Sequence, residues 1–539
     1  MSFFLVTNSK SRSDKASKAW NSLGFMCQEF DIYGVHVVLT SGYKKAPVFI
    51  EQTSWGAFFT IGTFFTDSSF AEDEIFKGQD VRELSQEFCK SVFGHYVFVI
   101  IDRGVVRVLT DPVGTINVFY SVEDSIYSIS NDLVLTAGLV SSPVDKLGEC
   151  QFLLNENTVG SRTVFEKVKR TGLGKTIVAE NGEVLLRPFY DLKPERVDFE
   201  DYISRIRRVF QALNHYNGKI AVDTSAGLDT RLVLACSKAT VSEFHLITNQ
   251  NKTDHGVDEF ISKCLSQALC LDLDVIKRPV HIEENKDLLT HSFSVGRDII
   301  RSSAWQRITK DKYELADLLI GGYGGEAIRA KYCGFNGLEG FLKGFYKANS
   351  VKDPELRKRF LEETKKEVYG TYLWSETDRQ LCNNLYALDR MRSWGGSAIQ
   401  AAMIYGDRYH PFMDWYLLGP VLDFSDGGLQ TSGLQEKLIE RLSPGLTSIS
   451  VNPTSVLLVD RDGYAYNETL TSLVSIVVKG CRKLDSILGS FLQNITFTPT
   501  PPIGTPTQNR NNSCSREYTL AYACSLARKI SDIEKNEIN

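Results

Sequence analysis

The stretch 223-DTSAGLDTR-231 decides how the larger part of this chain folds. It lies between a short apolar run, 219-KIAVDT-224, and a helical pattern, 228-LDTRLVLACSKA-239. The spacing predicts a strand ending at Thr224, a small-residue loop, and a helix beginning near Leu228. Ala226 and Gly227 let backbone approach a ligand closely. The loop N–H groups and the helix N-terminus face one point, where an anion is stabilised. Ser225 and Thr230 add hydroxyl donors, and Asp229 adds a carboxylate suited to Mg2+ beside phosphates. A tight strand-to-helix turn with no ligand reads equally from these residues.

Working outward, helix 201-DYISRIRRVFQALNHY-216 precedes the stretch, and strand 243-EFHLIT-248, helix 257-VDEFISKCLSQAL-269 and strand 272-DLDVIK-277 follow it. Strands alternating with helices at this spacing predict a parallel sheet. About ninety residues on, 315-LADLLIGGYGGEAIR-329 reads as a second strand ending in glycines. Ligands bind outside the carboxyl ends of such strands, so both glycine loops can line one crevice, with Asp229 and Glu326 as paired oxygen ligands for Mg2+. From about 335 to 490 strand signals nearly vanish and helical periodicity takes over. Residues 498–513 are rich in Pro, Thr and Asn and read as a linker. A last amphipathic helix lies within 514–539.

Residues 1–192 read differently. Runs such as 35-VHVVLT-40, 96-YVFVIID-102, 105-VVRVLTD-111 and 117-NVFYSVEDSIYSIS-130 are β-branched and aromatic, broken by turn signals, with a helix expected over 81-VRELSQEFCKSVF-93. This is a β-rich domain. The length of 539 residues fits roughly three or four domains. With 42% hydrophobic and 24% charged residues, wholesale disorder and coiled coil are excluded. A net charge of −5 leaves no electrostatic footprint for bulk nucleic-acid binding. The apolar stretch TSLVSIVV at 471–478 is far short of a membrane span. The 11 cysteines form no CxxC pair. With no secretory leader expected from the first residues, the expected location is the cytoplasm.

Taken together, the two loops resemble those of the asparagine synthetase family. Ser225-Ala226-Gly227-Leu228-Asp229-Thr230 fills its S-G-G-x-D-S pyrophosphate loop, and Gly322-Tyr323-Gly324-Gly325-Glu326 its later G-x-G-A-D-E loop. Asp407-Arg408-Tyr409-His410-Pro411-Phe412-Met413-Asp414 resembles its E-x-R-x-P-F-L-D segment, and 436-EKLIER-441 its K-x-x-L-R segment. The segments 94-GHYVFVIID-102, 110-TDPVGTINVFYS-121, 129-ISNDLVL-135 and 160-GSRTVFEKVKRTGLGK-175 resemble the family's glutaminase half. The resemblance implies an α/β chain: an N-terminal glutaminase-like (Ntn-type) β-rich sandwich over 1–192, and over 200–490 an adenine-nucleotide α-hydrolase-like parallel sheet with a helical extension. The layout also resembles β-lactam synthetases and lasso-peptide cyclases.

Departures from the family bear on function. The family nucleophile is a cysteine directly after the initiator Met; this chain has Ser2, its first cysteine is Cys27, and no R-G-P-D glutamine clamp occurs. Glutamine hydrolysis is therefore not expected. Ala226 stands for a glycine, Thr230 for a serine, Glu326 for an aspartate, and Ala327 for a glutamate. Arg231 reads either as a helix-surface salt bridge or as a phosphate or substrate-carboxylate contact. Lys437 reads as a solvated helix residue or, from its place in the fourth segment, as a catalytic cation near the α-phosphate. Asp407 reads as a helix-surface charge or as an amine-binding or general-base carboxylate. Arg390 and Arg392 are expected on a polar face, Trp394 in the core, and His410 in a structural role.

What the resemblance implies is carboxylate activation. A substrate carboxylate attacks the α-phosphorus of ATP, and an amine or ammonia then displaces AMP. The expected cofactors are ATP and Mg2+. Ser225 to Arg231 with Gly322 and Gly324 would bind ATP pyrophosphate, Asp229 and Glu326 the metal, and Lys437 and Asp407 would be catalytic. The expected partners are a small-molecule or peptide carboxylate and ammonia or an amine, with a homodimer open and neither nucleic acid nor membrane involved. An intramolecular amide cyclase and a non-catalytic scaffold are the competing readings.

Overall fold

The computed structural model describes residues 3–22, 24–40, 50–250, 257–277, 309–329, 334–424 and 433–449, with isolated positions besides. The N-terminal part contains two antiparallel sheets. Its strands are β1 (Phe4–Thr7), β2 (Cys27–Ile32), β3 (Val35–Thr40), β4 (Ile50–Gln52), β5 (Gly56–Phe65), β6 (Phe93–Asp102), β7 (Val105–Thr110), β8 (Phe119–Glu123), β9 (Ile126–Ser130), β10 (Lys169–Arg170), β11 (Lys175–Glu180) and β12 (Glu183–Pro188). One sheet runs β10-β8-β9-β1-β3-β2 and the other β12-β11-β7-β6-β5-β4.

Period-two alternation assigns side chains to layers. Along β6, Val97, Val99 and Ile101 face the core shared by the two sheets, where they meet Phe4, Val6 and Val37. Tyr96, Phe98 and Ile100 face the other way and pack with Ile75 of helix α2 (Glu72–Ile75) and Cys89 of helix α3 (Gln86–Ser91). Phe3 and Leu5 turn outward onto Ala16 and Trp20 of helix α1 (Lys10–Ser22) and Leu135 of helix α4 (Leu133–Leu139). The result is a helix–sheet–sheet–helix sandwich. Both faces of each central strand are covered, so β5 and β6 read as unbroken apolar runs. The helix expected over 81–93 is shorter: a 3-10 turn at Val81–Glu83 comes first, then α3, whose N-cap Ser85 accepts the Phe88 N–H at 3.1 Å. The run 117–130 divides into β8 and β9 at Asp124-Ser125, both with positive φ.

Helix α5 (Lys146–Asn155) belongs to the N-terminal part, and α6 (Phe199–Ala212) leads into the second half, whose sheet is wholly parallel. Its strands are β13 (Ile220–Asp223), β14 (His245–Asn249), β15 (Leu273–Ile276), β16 (Leu318–Ile320) and β17 (Asp407–Tyr409), in the spatial order β15-β14-β13-β16-β17. Helices α7 (Leu228–Thr240) and α8 (Val257–Leu269) make the crossovers. The chain builds outward from β13 through β14 to β15. It then returns to the other side of β13 for β16 and β17. The strand order therefore reverses between β13 and β16, which is where a doubly wound sheet opens a crevice.

Strand β17 interrupts the stretch 335–490, where helical periodicity dominates the sequence. Three residues carry too little periodicity to be seen, yet Leu318, Leu319 and Ile320 pair in parallel with Asp407, Arg408 and Tyr409. The strand also joins the halves: Tyr409 meets Phe65 edge-on at 5.0 Å, and Thr63 Oγ1 takes the Arg408 N–H at 3.1 Å. Helical pieces at Gly337–Gly344, Pro354–Thr371 and Asp378–Asn384 surround an eleven-residue π-helix, Leu385–Gly395. The linker 498–513, the C-terminal helix of 514–539 apart from Ala527, and most of 450–490 lie outside the described residues.

Candidate functional site

A cleft of about 330 Å³ opens at the switch point. Both glycine loops line it. Ser225 and Gly227 come from the loop after β13 and Asp229 and Thr230 from the first turn of α7, while Gly322 and Gly324 come from the loop after β16 and Glu326 from the short helix that follows it. The first loop is tied by its own hydroxyls. Ser225 Oγ and Thr230 Oγ1 are 2.8 Å apart, and Ser225 Oγ accepts the Gly227 N–H at 3.1 Å. Ala226 is buried, and its N–H donates to Asp258 Oδ1 at 2.7 Å. Leu228 points into the core.

Close packing explains the glycines: Gly324 lies against the segment at Phe412, and Gly325 against the first loop at Asp229. Gly324 has φ +91° and caps the short helix Gly325–Ile328; a Cβ there would lie 2.1 Å from the Phe412 carbonyl oxygen. A Cβ on Gly325 would lie 2.7 Å from Asp229 Oδ1. The sequence pattern read as a ligand cradle is thus, in the structure, first a condition for the two loops to touch.

The carboxylates expected to hold metal both line the cleft, but both have protein partners. Asp229 Oδ2 pairs with Arg329 at 2.9 Å, and its Oδ1 accepts the Gln435 amide at 2.9 Å. Glu326 Oε2 accepts the Tyr386 hydroxyl of the π-helix. Among the described residues no cluster of three or more His, Cys, Asp or Glu forms a metal cage.

Three predicted residues lie elsewhere. Arg231 is 1% exposed and donates to the Ile449 carbonyl; burial pushes its guanidinium down to about 10. It faces the core because the helix N-terminus points Ser225 and Thr230, not position 231, at the cleft. Lys437 lies on the helix Leu434–Leu442 and lines a separate cavity of about 820 Å³ with Val197, Leu429 and Arg441. The same helix offers Gln435 to the loops instead. Asp407 opens β17, so it sits at the amino end of the sheet, opposite the cleft. It accepts hydrogen bonds from Tyr216 at 2.8 Å and Thr63 at 3.0 Å, and burial pushes its carboxyl up.

In their place the cleft holds a buried charge network that the motif reading passed over. Asp223, the last residue of β13, pairs through Oδ1 with Lys312 and through Oδ2 with Arg408 at 2.6 Å. Burial works against the Asp223 carboxylate, but the two cations outweigh it and hold the group below its ordinary value. Burial pulls Lys312 down despite Asp223. Around His410, Arg408 Nε lies 2.9 Å from Nε2 and the Tyr323 N–H 3.0 Å from Nδ1. A neutral imidazole accepts at one nitrogen only, so these two contacts compete. Tyr323 stacks on the ring at 4.6 Å. Behind it, His95 of the sandwich accepts the His410 backbone N–H at 3.0 Å, and burial followed by Arg408 pushes His95 down to about 3. Trp394 also lines the cleft, and Arg392 is buried, not on a polar face. The available signal was positional: Asp223 ends its strand just before the loop, Arg408 lies in β17 and His410 directly follows that strand.

No family model and no curated protein matches the chain. Among solved structures, the glutamine phosphoribosylpyrophosphate amidotransferase from B. subtilis complexed with ADP and GMP aligns at 8% identity and a TM-score of 0.25, over 41% of this chain and 60% of that one. The allosteric regulatory enzyme of purine biosynthesis aligns at 8% and 0.25, over 42% and 60%. The chain thus spans 60% of the length of each of these proteins, and a TM-score this low carries no argument.

Proposed function

We propose that the chain is an ATP-dependent amide-forming ligase of the asparagine synthetase type, which adenylates a carboxylate and passes the acyl group to ammonia or an amine. One observation carries this reading. Two loops nearly a hundred residues apart, each resembling a nucleotide loop, meet at the carboxyl ends of the adjacent parallel strands β13 and β16. The Ser225 and Thr230 hydroxyls and the N-terminal turn of α7 suit a pyrophosphate.

Asp229 and Glu326 fit Mg2+ as donors, because this ion keeps waters and phosphate oxygens and needs only one or two carboxylates. They would hold it, with Asp229 exchanging its Arg329 partner for the ion. When bound, the ion neutralises phosphate charge. The chain's own groups orient the triphosphate and keep the reacting carboxylate beside it, mostly by positioning and fixed charge. The test is pyrophosphate release from MgATP across a panel of carboxylates with and without ammonia. Carboxylate-dependent release that Ser225→Ala with Thr230→Val abolishes supports the reading. MgATP binding with no release for any carboxylate favours the scaffold.

A further inference from the structure

We infer that Lys312, held in the cleft by Asp223, is the cation that meets the charge developing on the phosphate chain, the part the family pattern gives to Lys437. The inference rests on the ligase reading above. Forming an acyl-adenylate joins a carboxylate oxygen to the α-phosphorus and breaks its bond to pyrophosphate. The leaving pyrophosphate takes up negative charge, which needs a positive group at that point. Among the described residues lining the cleft, the cationic side chains are Lys312 and Arg408. Lys437 lines the other cavity.

The geometry separates the roles of the two cations. Arg408 is fixed on several sides: Nη2 to Asp223 Oδ2 at 2.6 Å, Nε near His410 at 2.9 Å, and its backbone N–H to Thr63 at 3.1 Å. Lys312 bonds the other oxygen, Oδ1, through a flexible four-carbon stem with three rotatable donors. Its ammonium can therefore turn one donor to a phosphate oxygen while Asp223 stays neutralised by Arg408. Asp258 also acts on Lys312 through space, in the same direction as Asp223. Asp223 and Arg408 are positioning residues, and Lys312 makes the contact.

The test is calorimetric titration of the full chain with MgATP and, separately, with inorganic pyrophosphate and AMP. Lys312→Met is expected to weaken MgATP and pyrophosphate on the order of ten- to a hundredfold, as loss of one charge-assisted contact does, and AMP far less. Lys312→Arg should keep most of the affinity, and Lys437→Met should bind as the parent does. Lys312→Met combined with Asp223→Asn repeats the test without leaving the carboxylate short of a partner, and retained AMP binding shows in each variant that the site is still folded. Parent-like pyrophosphate binding in Lys312→Met, alone and combined with Asp223→Asn, overturns the inference and leaves the ligase reading standing. Failure of the parent chain to bind MgATP or pyrophosphate at all overturns the reading itself.

Discussion

Asp223→Asn removes one charge from the floor of the cleft and hardly changes volume, so no cavity opens. What remains is two cations whose side chains are only 8% and 9% exposed. An asparagine can accept from one of them, but its amide then faces the other. Removing one partner of a buried ion pair costs about 3–5 kcal/mol. The cleft admits some solvent, so the lower end, about 3 kcal/mol, is expected. Adding Lys312→Met removes one of the two stranded cations and should return about 1–2 kcal/mol, so the double variant is more stable than Asp223→Asn alone. Urea unfolding of parent, both singles and the double gives the cycle directly. The pH dependence adds a second check. Asp223 titrates below its unfolded value, so its contribution is complete above about pH 4 and is lost as the pH falls through the depressed native value. Parent and Asp223→Asn should therefore converge at low pH. A single variant within about 0.5 kcal/mol of the parent, and a double variant less stable than the single, would refute the network as described.

Three further outcomes follow from the same structure. Gly324→Ala forces a left-handed alanine against the Phe412 carbonyl and should cost about 2 kcal/mol or more in urea stability while weakening MgATP. Buried His95 is neutral in the fold down to about pH 3 but charges near pH 6.5 when unfolded, so stability is full above that value and falls as pH drops between the two. His95→Gln should flatten that slope, by at most about 1.4 kcal/mol per pH unit. The N-terminal sandwich should release no glutamate from glutamine; a measurable rate that disappears in Ser2→Ala would contradict this.

The parallel sheet and the sandwich were legible because each rests on a local signal repeated along the chain. Runs rich in β-branched and aromatic residues marked β3 and β6 to β9, and the strand–loop–helix at 219–240 marked β13 and α7 nearly to the residue. Short elements escaped. β17 has three residues and is a strand only because β16 pairs with it. At the site, loop residues were legible because hydroxyls, carboxylates and glycines sit at fixed offsets within one turn. Lys437, Asp407 and Arg231 were misplaced for a different reason. Which face of a helix or end of a strand meets the cleft depends on tertiary packing. Gln435 rather than Lys437 turns inward, and Asp407 begins its strand instead of ending it. Lys312 carried no motif, and only its pairing with Asp223 across 89 residues gives it meaning.

The central claim is that the cleft between β13 and β16 receives the triphosphate. Hydrogen–deuterium exchange of the full chain with and without MgATP tests it without knowledge of the acceptor substrate. The account predicts slower exchange at amides 225–231 and 322–327, with little change around 434–447 beside the Lys437 cavity. Protection confined to 434–447, or none at either glycine loop under saturating MgATP, would contradict it.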